Sequence, residues 1–368
     1  MKTVQWYLTD CTYRILQGKA VVHLYGRTPE GKLIAVHDEH FEPYFYVLPR
    51  SIPAATEALL ALTVTEKRDE YRVTHVEEVT KNVNEREEHV LKVFVNLPSG
   101  VPPLKDAIKS HPAIRECYEY DIKFIRRYLI DKGLQPMTLI EATGEFIEET
   151  SRVPVFKAAS VKQANDTTYT NPRILGVDIE TYNPLGKRVL VDQHPIVMIA
   201  LYGEKLKKVL TWKKFTPHDA TVEFLPSEAD MLVRFKELLI AYAPDLLVGY
   251  YSDGFDLPYI IKRAAKHKIE LDVGLDYSEM KISGTAQSTV QVTGIVHVDI
   301  FKFIKKVIGR SMETDVFTLD AVAEELLGER KHEVNLDTLA RDWDAASPAL
   351  DTFAKYNLQD AKLTHDLC

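Results

Sequence analysis

The feature that most constrains this chain is Ile174-Leu-Gly-Val-Asp-Ile-Glu180, an apolar strand that runs into two acids. In a strand, residues i and i+2 point to the same face, so Asp178 and Glu180 stand side by side. Carboxylates held that close repel and raise each other's pKa unless a cation lies between them. Mg²⁺ or Mn²⁺, bound through carboxylate oxygens, removes the penalty. Alone, an acid–x–acid strand end is common, and simple solvation of both groups stays open.

The pattern around this strand is α/β. Ile196–Leu201, Lys208–Trp212 and Leu246–Gly249 read as further strands. Ser227 and Asp230 resemble a capping box ahead of a helix that places Met231, Leu232, Phe235, Leu238, Leu239 and Tyr242 on one face. Leu257 to His267 reads as a second helix, and Thr289–Ile300 as a hairpin turning near Thr293-Gly294. Residues 1–137 differ: short β-rich runs such as Ala20–Leu24, Phe45–Leu48 and Glu88–Val95, with a short helix at Pro103–His111. Residues 138–172 are polar and lack periodicity toward their end, and read as a linker between domains at 1–137 and 173–368.

Composition narrows the function classes. With 54 Asp+Glu against 46 Lys+Arg the net charge is −8, which argues against coating nucleic acid by bulk charge but leaves room for a local basic groove. Apolar residues make up 45%, enough for sizeable cores. No apolar run approaches the roughly 18 residues a membrane span needs. Cys11, Cys117 and Cys368 are scattered with no CxxC, which speaks against a disulfide framework or zinc site and for a reducing compartment.

Two further segments carry chemistry. Tyr250-Tyr-Ser-Asp-Gly-Phe-Asp256 lies between a strand and a helix, where Asp256 faces a ligand beyond the strand's carboxyl end or else N-caps the helix, with Asp253 competing for either role. Tyr356-Asn-Leu-Gln-Asp360 sets a phenol and a carboxylate four apart on one helix face. These can serve a metal and an attacking water, or be a half-buried Tyr beside an exposed Asp.

Strand DxE, a post-strand Asp and a helical YxxxD, in that order, resemble the three exonuclease motifs of the DEDD superfamily, and the Tyr marks its DEDDy branch. "VDIET", "DGFDLPYIIKRA", "HPAIRECYEYDIKFIRRYLIDKGLQPM" and "HDEHFEPYFYVL" resemble archaeal-type family B DNA polymerases over nearly the whole chain. The resemblance implies a ribonuclease H-like α/β exonuclease domain with a mixed sheet, after a β-rich α+β N-terminal domain. It assigns Asp178, Glu180, Asp256 and Asp360 to two divalent cations, Mg²⁺ or Mn²⁺, and Tyr356 to the attacking water. The implied reaction is 3′–5′ hydrolysis of single-stranded DNA ends to nucleoside 5′-monophosphates. Asp299 is a further candidate for a supporting role, or a strand-end turn residue. Tyr251, Phe255, Lys123 and Arg126 are the candidate nucleic-acid contacts.

The chain lacks family polymerase motifs such as SLYPS, NSxYG or DTD, and its end inside a helical pattern at Leu367-Cys368 favours an excised fragment over a natural short form. The implied partners are a DNA 3′ end and template strand, the remaining polymerase domains on the same or a separate chain, and a sliding clamp; no membrane is implied. The implied location is the cytoplasm, at the nucleoid. One departure stands out: the family usually carries Asn where this chain has Tyr251. An aromatic there can stack on a base or block the site.

The resemblance also implies a pocket that reads template uracil. Its candidates are Tyr13, Pro43, Tyr44, Pro98, Val101, Ile122, Phe124 and Arg127, which by residue type alone also suit an ordinary core. An alternative is therefore a uracil-sensing, nucleic-acid-binding module whose exonuclease site Tyr251 impairs. A free-standing nuclease acting on RNA is a third reading, against which the N-terminal domain argues.

Overall fold

The computed structural model describes residues 1–184, 189–284, 288–330 and 334–368. They form two compact units, Met1–Tyr169 and Thr170–Cys368. Among them no helix is long and apolar enough to cross a membrane.

The first unit is built from strands β1 (Lys2–Leu16), β2 (Lys19–Arg27), β3 (Leu33–Asp38), β4 (Tyr44–Pro49), β5 (Thr63–Glu66), β6 (Asp69–Val83), β7 (Arg86–Val95), β8 (Ile114–Tyr118), β9 (Thr138–Ile147) and β10 (Val155–Thr168). Its helices are α1 (Ile52–Leu60), α2 (Val101–Ile108) and α3 (Phe124–Lys132). Five strands close a barrel in the order β1-β2-β3-β10-β9. Its interior holds Trp6, Leu24, Val36, Ile140 and Phe156, joined by Phe124 and Tyr128 from α3. The other five form a sheet ordered β5-β6-β7-β4-β8, whose Phe45, Val47, Leu91 and Val93 pack against Leu59 of α1 and Leu104 and Ile108 of α2.

The expected linker at 138–172 is corrected by this barrel, because β9 and β10 are two of its staves. Val155, Phe156, Ala158 and Val161 are buried, whereas the polar residues between and after them point outward. The polar tail stays in register through Gln163, whose amide donates to the Thr138 hydroxyl at 2.6 Å and to the Leu139 carbonyl at 3.2 Å. The helix expected at Pro103–His111 starts two residues earlier, at Val101, since Pro102 and Pro103 suit a first turn whose N–H groups have no helical acceptors.

The second unit carries a mixed six-stranded sheet. Its strands are β11 (Ile174–Thr181), β12 (Ile196–Gly203), β13 (Leu206–Thr211), β14 (Val222–Phe224) and β15 (Leu246–Gly249), with β16 (Lys281–Ser283) and β17 (Thr289–Gln291) in a separate ribbon and β18 (Val296–Asp299) at the sheet's edge. The sheet order is β14-β13-β12-β11-β15-β18, with β11 antiparallel to β12 and parallel to β15. Only a single bridge, Val292 to Ile295, remains of the expected 289–300 hairpin: β17 pairs with β16, and β18 with β15. The turn does fall at Gly294, whose φ of +78° suits a residue without Cβ.

Among the described residues the helices of this unit are α4 (Glu228–Tyr242), α5 (Asp256–Lys266), α6 (Ile300–Phe303, continuing into a π-turn at Ile304–Ile308), α7 (Leu319–Leu327), α8 (Leu339–Asp344) and α9 (Leu350–Asp366). Ser227 caps α4 as expected, its Oγ accepting from Asp230 N at 3.2 Å. Leu175, Val177 and Ile179 of β11 face a core shared with Phe235 and Leu239 of α4 and Leu257 and Ile260 of α5. Alternation turns Gly176, Asp178 and Glu180 the other way. There α9 crosses closely: a Cβ on Gly176 would lie 2.3 Å from the Ala361 carbonyl oxygen. Glycine at 176 therefore sets the depth at which α9 lies over the acidic end of β11.

Candidate functional site

Three elements meet at the carboxyl end of β11. The pairing of β11 with β15 stops at Gly176–Val248, so β11 runs on past the last rung of that ladder. The Ile179 N–H, between the two acids, donates to Asp256 Oδ1 at 3.2 Å. Asp256 is not the helix cap: it is the first residue of α5, after an N-cap at Phe255 that makes no side-chain bond. From the other side, Asn357 of α9 donates through Nδ2 to Asp178 Oδ2 at 2.6 Å. Asp360 is buried three residues on, and Tyr356 is half-buried one turn before it. The five residues expected on carboxylate and phenol chemistry thus lie on β11, the start of α5 and α9.

The electrostatics follow from burial. Asp256 is 4% exposed, and its carboxyl is pushed well above the usual carboxylate range, first by desolvation and then by the charges of Asp299 and Asp360. Asp253 goes the opposite way. Burial alone would raise it, but His297, Lys302 Nζ at 2.7 Å and the Val290 N–H at 2.6 Å hold it at about 2. It is an anchor for the loop, committed away from the reacting end. Asp299 supports the same loop, accepting from Tyr251 N at 3.2 Å, Asp253 N at 3.1 Å and Lys302 N at 3.1 Å.

Among the described residues no three His, Cys, Asp or Glu side chains stand close enough together to enclose an ion as positioned. The donor chemistry nevertheless suits a hard divalent cation. The set is all carboxylate, and at Asp256 burial first, then the charges of Asp299 and Asp360, work against the ionised form in a way a cation would offset.

The candidate nucleic-acid contacts divide. Tyr251 is 51% exposed with a left-handed backbone, φ +60°. Phe255 is half-buried and packs against the core and Tyr259, ring centres 5.3 Å apart. Lys123 and Arg126 are exposed at the start of α3 in the first unit.

That unit contains a cavity of about 430 Å³, within the usual size of small-ligand pockets. Tyr13, Pro43, Tyr44, Pro98, Val101, Ile122, Phe124 and Arg127 all line it, with Lys123 at its edge. Arg127 is 6% exposed, its guanidinium 2.6 Å from Glu119 Oε2 and over the Tyr44 ring at 5.0 Å. The Tyr44 hydroxyl donates to Asp131 Oδ2 at 2.5 Å. Those bonds fix two lining side chains before any ligand arrives.

Sequence reasoning missed Asn357, Asp131 and Glu119. Asn357 left a faint signal, because a short amide in a helix interior competes for backbone hydrogen bonds and is costly without a partner. Asp131 left a clearer one in its i,i+4 spacing from Arg127.

Comparison with known proteins supplies a family. Residues 115–322 match the family described as DNA polymerase family B, exonuclease domain. A DNA polymerase of Pyrococcus horikoshii is 32% identical over 98% of this chain and 26% of its own length, and one of Pyrococcus glycovorans is 33% identical over 98% and 41%. This chain thus spans well under half the length of these curated relatives. The solved family B DNA polymerase from the hyperthermophilic archaeon Pyrobaculum calidifontis superposes with a TM-score of 0.82 at 24% identity, covering 98% of this chain and 44% of that one, which shows a shared fold.

Proposed function

This chain belongs to the exonuclease-domain family of the family B DNA polymerases, and from that premise we propose that it is the N-terminal and proofreading portion of such a polymerase. Its activity is hydrolysis of single-stranded DNA from the 3′ end, releasing nucleoside 5′-monophosphates. The observation that supports this is the meeting of Asp256 with the Ile179 N–H between Asp178 and Glu180, under the helix that carries Tyr356 and Asp360.

Asp178, Glu180, Asp256 and Asp360 would hold two divalent cations. Such cations lower the pKa of an attacking water and offset charge developing at phosphorus. The rest is the work of this chain's own groups. Asn357 fixes the rotamer of Asp178, the Ile179 N–H fixes that of Asp256, and Tyr356 orients the water by its phenol. Asp299 and Asp253 keep the loop that presents Asp256 in shape. The partners are a DNA strand and the remaining polymerase domains, on the same or a separate chain, with a sliding clamp as a further candidate.

The test is single-stranded DNA labelled at its 5′ end, incubated with protein and Mg²⁺ or Mn²⁺ beside an EDTA control. A ladder shortening from the 3′ end, absent with EDTA, is the expected result; none from folded, metal-supplied protein overturns the reading.

The cavity favours a second function for the first unit, recognition of uracil in a template strand. Its walls combine aromatic and apolar side chains with a braced Arg127, a surface that suits a flipped pyrimidine and can exclude the thymine methyl. Single-stranded oligonucleotides with one uracil should bind more tightly than the thymine equivalents in EDTA. Equal binding would remove this reading while leaving the exonuclease untouched.

A further inference from the structure

Three features meet at Tyr251. It is a bulky residue at φ +60°, a conformation that Asn or Gly adopts far more readily. It is 51% exposed although aromatic, and it sits on the loop that presents Asp256, its own N–H tied to Asp299. Strain of this kind concentrates where a site uses it.

The ring is not loose. A Cβ on Gly254 would lie 2.3, 2.5 and 2.7 Å from its Cζ, Cε1 and Cε2, near-equal distances that put position 254 over the ring face rather than at its edge. Phe301 meets it edge-to-face, ring centres 5.4 Å apart at 88°. The Lys305 ammonium stands over the Phe301 ring at 5.5 Å and is exposed, with no carboxylate in salt-bridge reach among the described residues. One face of Tyr251 is therefore backed by the protein, half the residue is open, and a cation without a carboxylate partner among the described residues stands nearby.

We propose that Tyr251, backed by Gly254 and Phe301, is a stacking platform for an unpaired nucleobase at the 3′ end of the DNA strand, with Lys305 countering its phosphate. The proposal deepens the exonuclease reading and rests on it. Stacking on an aromatic ring is tolerant of sequence and suits a site that must accept any terminal base. It holds the base by its face, where an amide could only donate or accept hydrogen bonds at an edge.

The test separates binding from turnover. The affinity of a 5′-fluorescein-labelled oligothymidylate is measured in EDTA by anisotropy, and KM and kcat with Mn²⁺, for the wild-type chain, Tyr251→Ala, Tyr251→Phe and Lys305→Ala. Tyr251→Ala should weaken binding and raise KM by about tenfold, whereas Tyr251→Phe, which keeps the ring, stays close to wild type. Lys305→Ala should flatten the salt dependence of binding. On an oligonucleotide whose 3′ nucleotide is abasic, wild type and Tyr251→Ala should bind alike. Unchanged affinity in Tyr251→Ala, an equal loss on the abasic strand, or faster turnover once the ring is gone would each overturn the proposal, the last marking the ring as a block. If the wild-type chain binds with this ring dependence yet never shortens the strand, the platform stands and the exonuclease reading falls.

Discussion

The second unit gathers carboxylates at the end of one strand, against a burial cost visible in Asp256. The first unit surrounds its cavity with rings and aliphatic groups and admits one buried cation, Arg127, only with Glu119 and Asp131 beside it. Burial and then the charges of Asp299 and Asp360 raise the Asp256 carboxyl, a cost that a cation at this centre would offset. The cavity's buried cation is matched by Glu119 and Asp131, and most of what its walls offer a ligand is shape. One site should respond to metal and pH, the other to the outline of the molecule that enters.

The sharpest way to break that contrast is to remove the acids. Asp178→Ala/Glu180→Ala should lower metal-dependent 3′ shortening by ~10³-fold or more, since it deletes ligands and the charge they stabilise. Its thermal midpoint in EDTA should stay close to that of wild type, because relief of like-charge repulsion offsets the stranding of Asn357 Nδ2, which loses Asp178. A clear loss of stability in EDTA would mean that the acids are held by structure and not strained by one another.

Each unit also buries an arginine that is paired with a carboxylate, Arg263 and Arg127, and these should differ in cost. Arg263 is 4% exposed, donates through Nε to Glu228 Oε1 at 2.8 Å and meets a partner that is itself buried. Arg263→Ala should cost about 3–5 kcal/mol in urea unfolding, the penalty for stranding a buried carboxylate. Arg127→Ala should cost less, because Glu119 is partly exposed and can be rehydrated. Equal losses would show the cavity to be as dependent on its ion pair as the acidic unit.

Acid should act on the loop beneath the proposed metal ligands. Asp253 titrates near 2 in the folded protein against an unfolded value near 3.8, so its contribution is fully present above about pH 4 and is lost as pH falls through about 2. Asp253→Asn should be less stable than wild type at pH 7, and the gap should close as pH approaches 2 in a denaturant series. A gap independent of pH would assign the effect to shape and not to charge. The smallest effect concerns the backbone: Tyr251→Asn should hold or raise the free energy of urea unfolding, by up to about 1 kcal/mol of relieved strain.

Much of the acidic centre was legible because its residue types are out of place. Acids ending an apolar strand, or an Asp one turn beyond a Tyr on a helix, ask for an explanation that periodicity does not supply. Asn357 was not legible, since nothing local marks which distant carboxylate an amide will hold. The cavity had the reverse problem: Pro43, Val101, Ile122 and Phe124 look like any core, and only resemblance to a family grouped them before the structure placed them around one space. The barrel was misread at 138–172 because its polar outward face matched the composition of a linker. Pairing between strands distant in sequence leaves no trace in a local window.

That barrel has a consequence for how the chain comes to be folded. Lys2 pairs with Gly144 and Ala35 with Val155, so the first and third strands wait for partners made more than 100 residues later. Until then β1 and β3 each present an unpaired edge, and closing such long loops is an entropic barrier met before any contact offsets it. The barrel should therefore be the slow step of the first unit's folding. A chain ended before Val155 still lets β9 cover β1 but leaves the edges of β3 and β9 without β10, and should aggregate where the full chain does not.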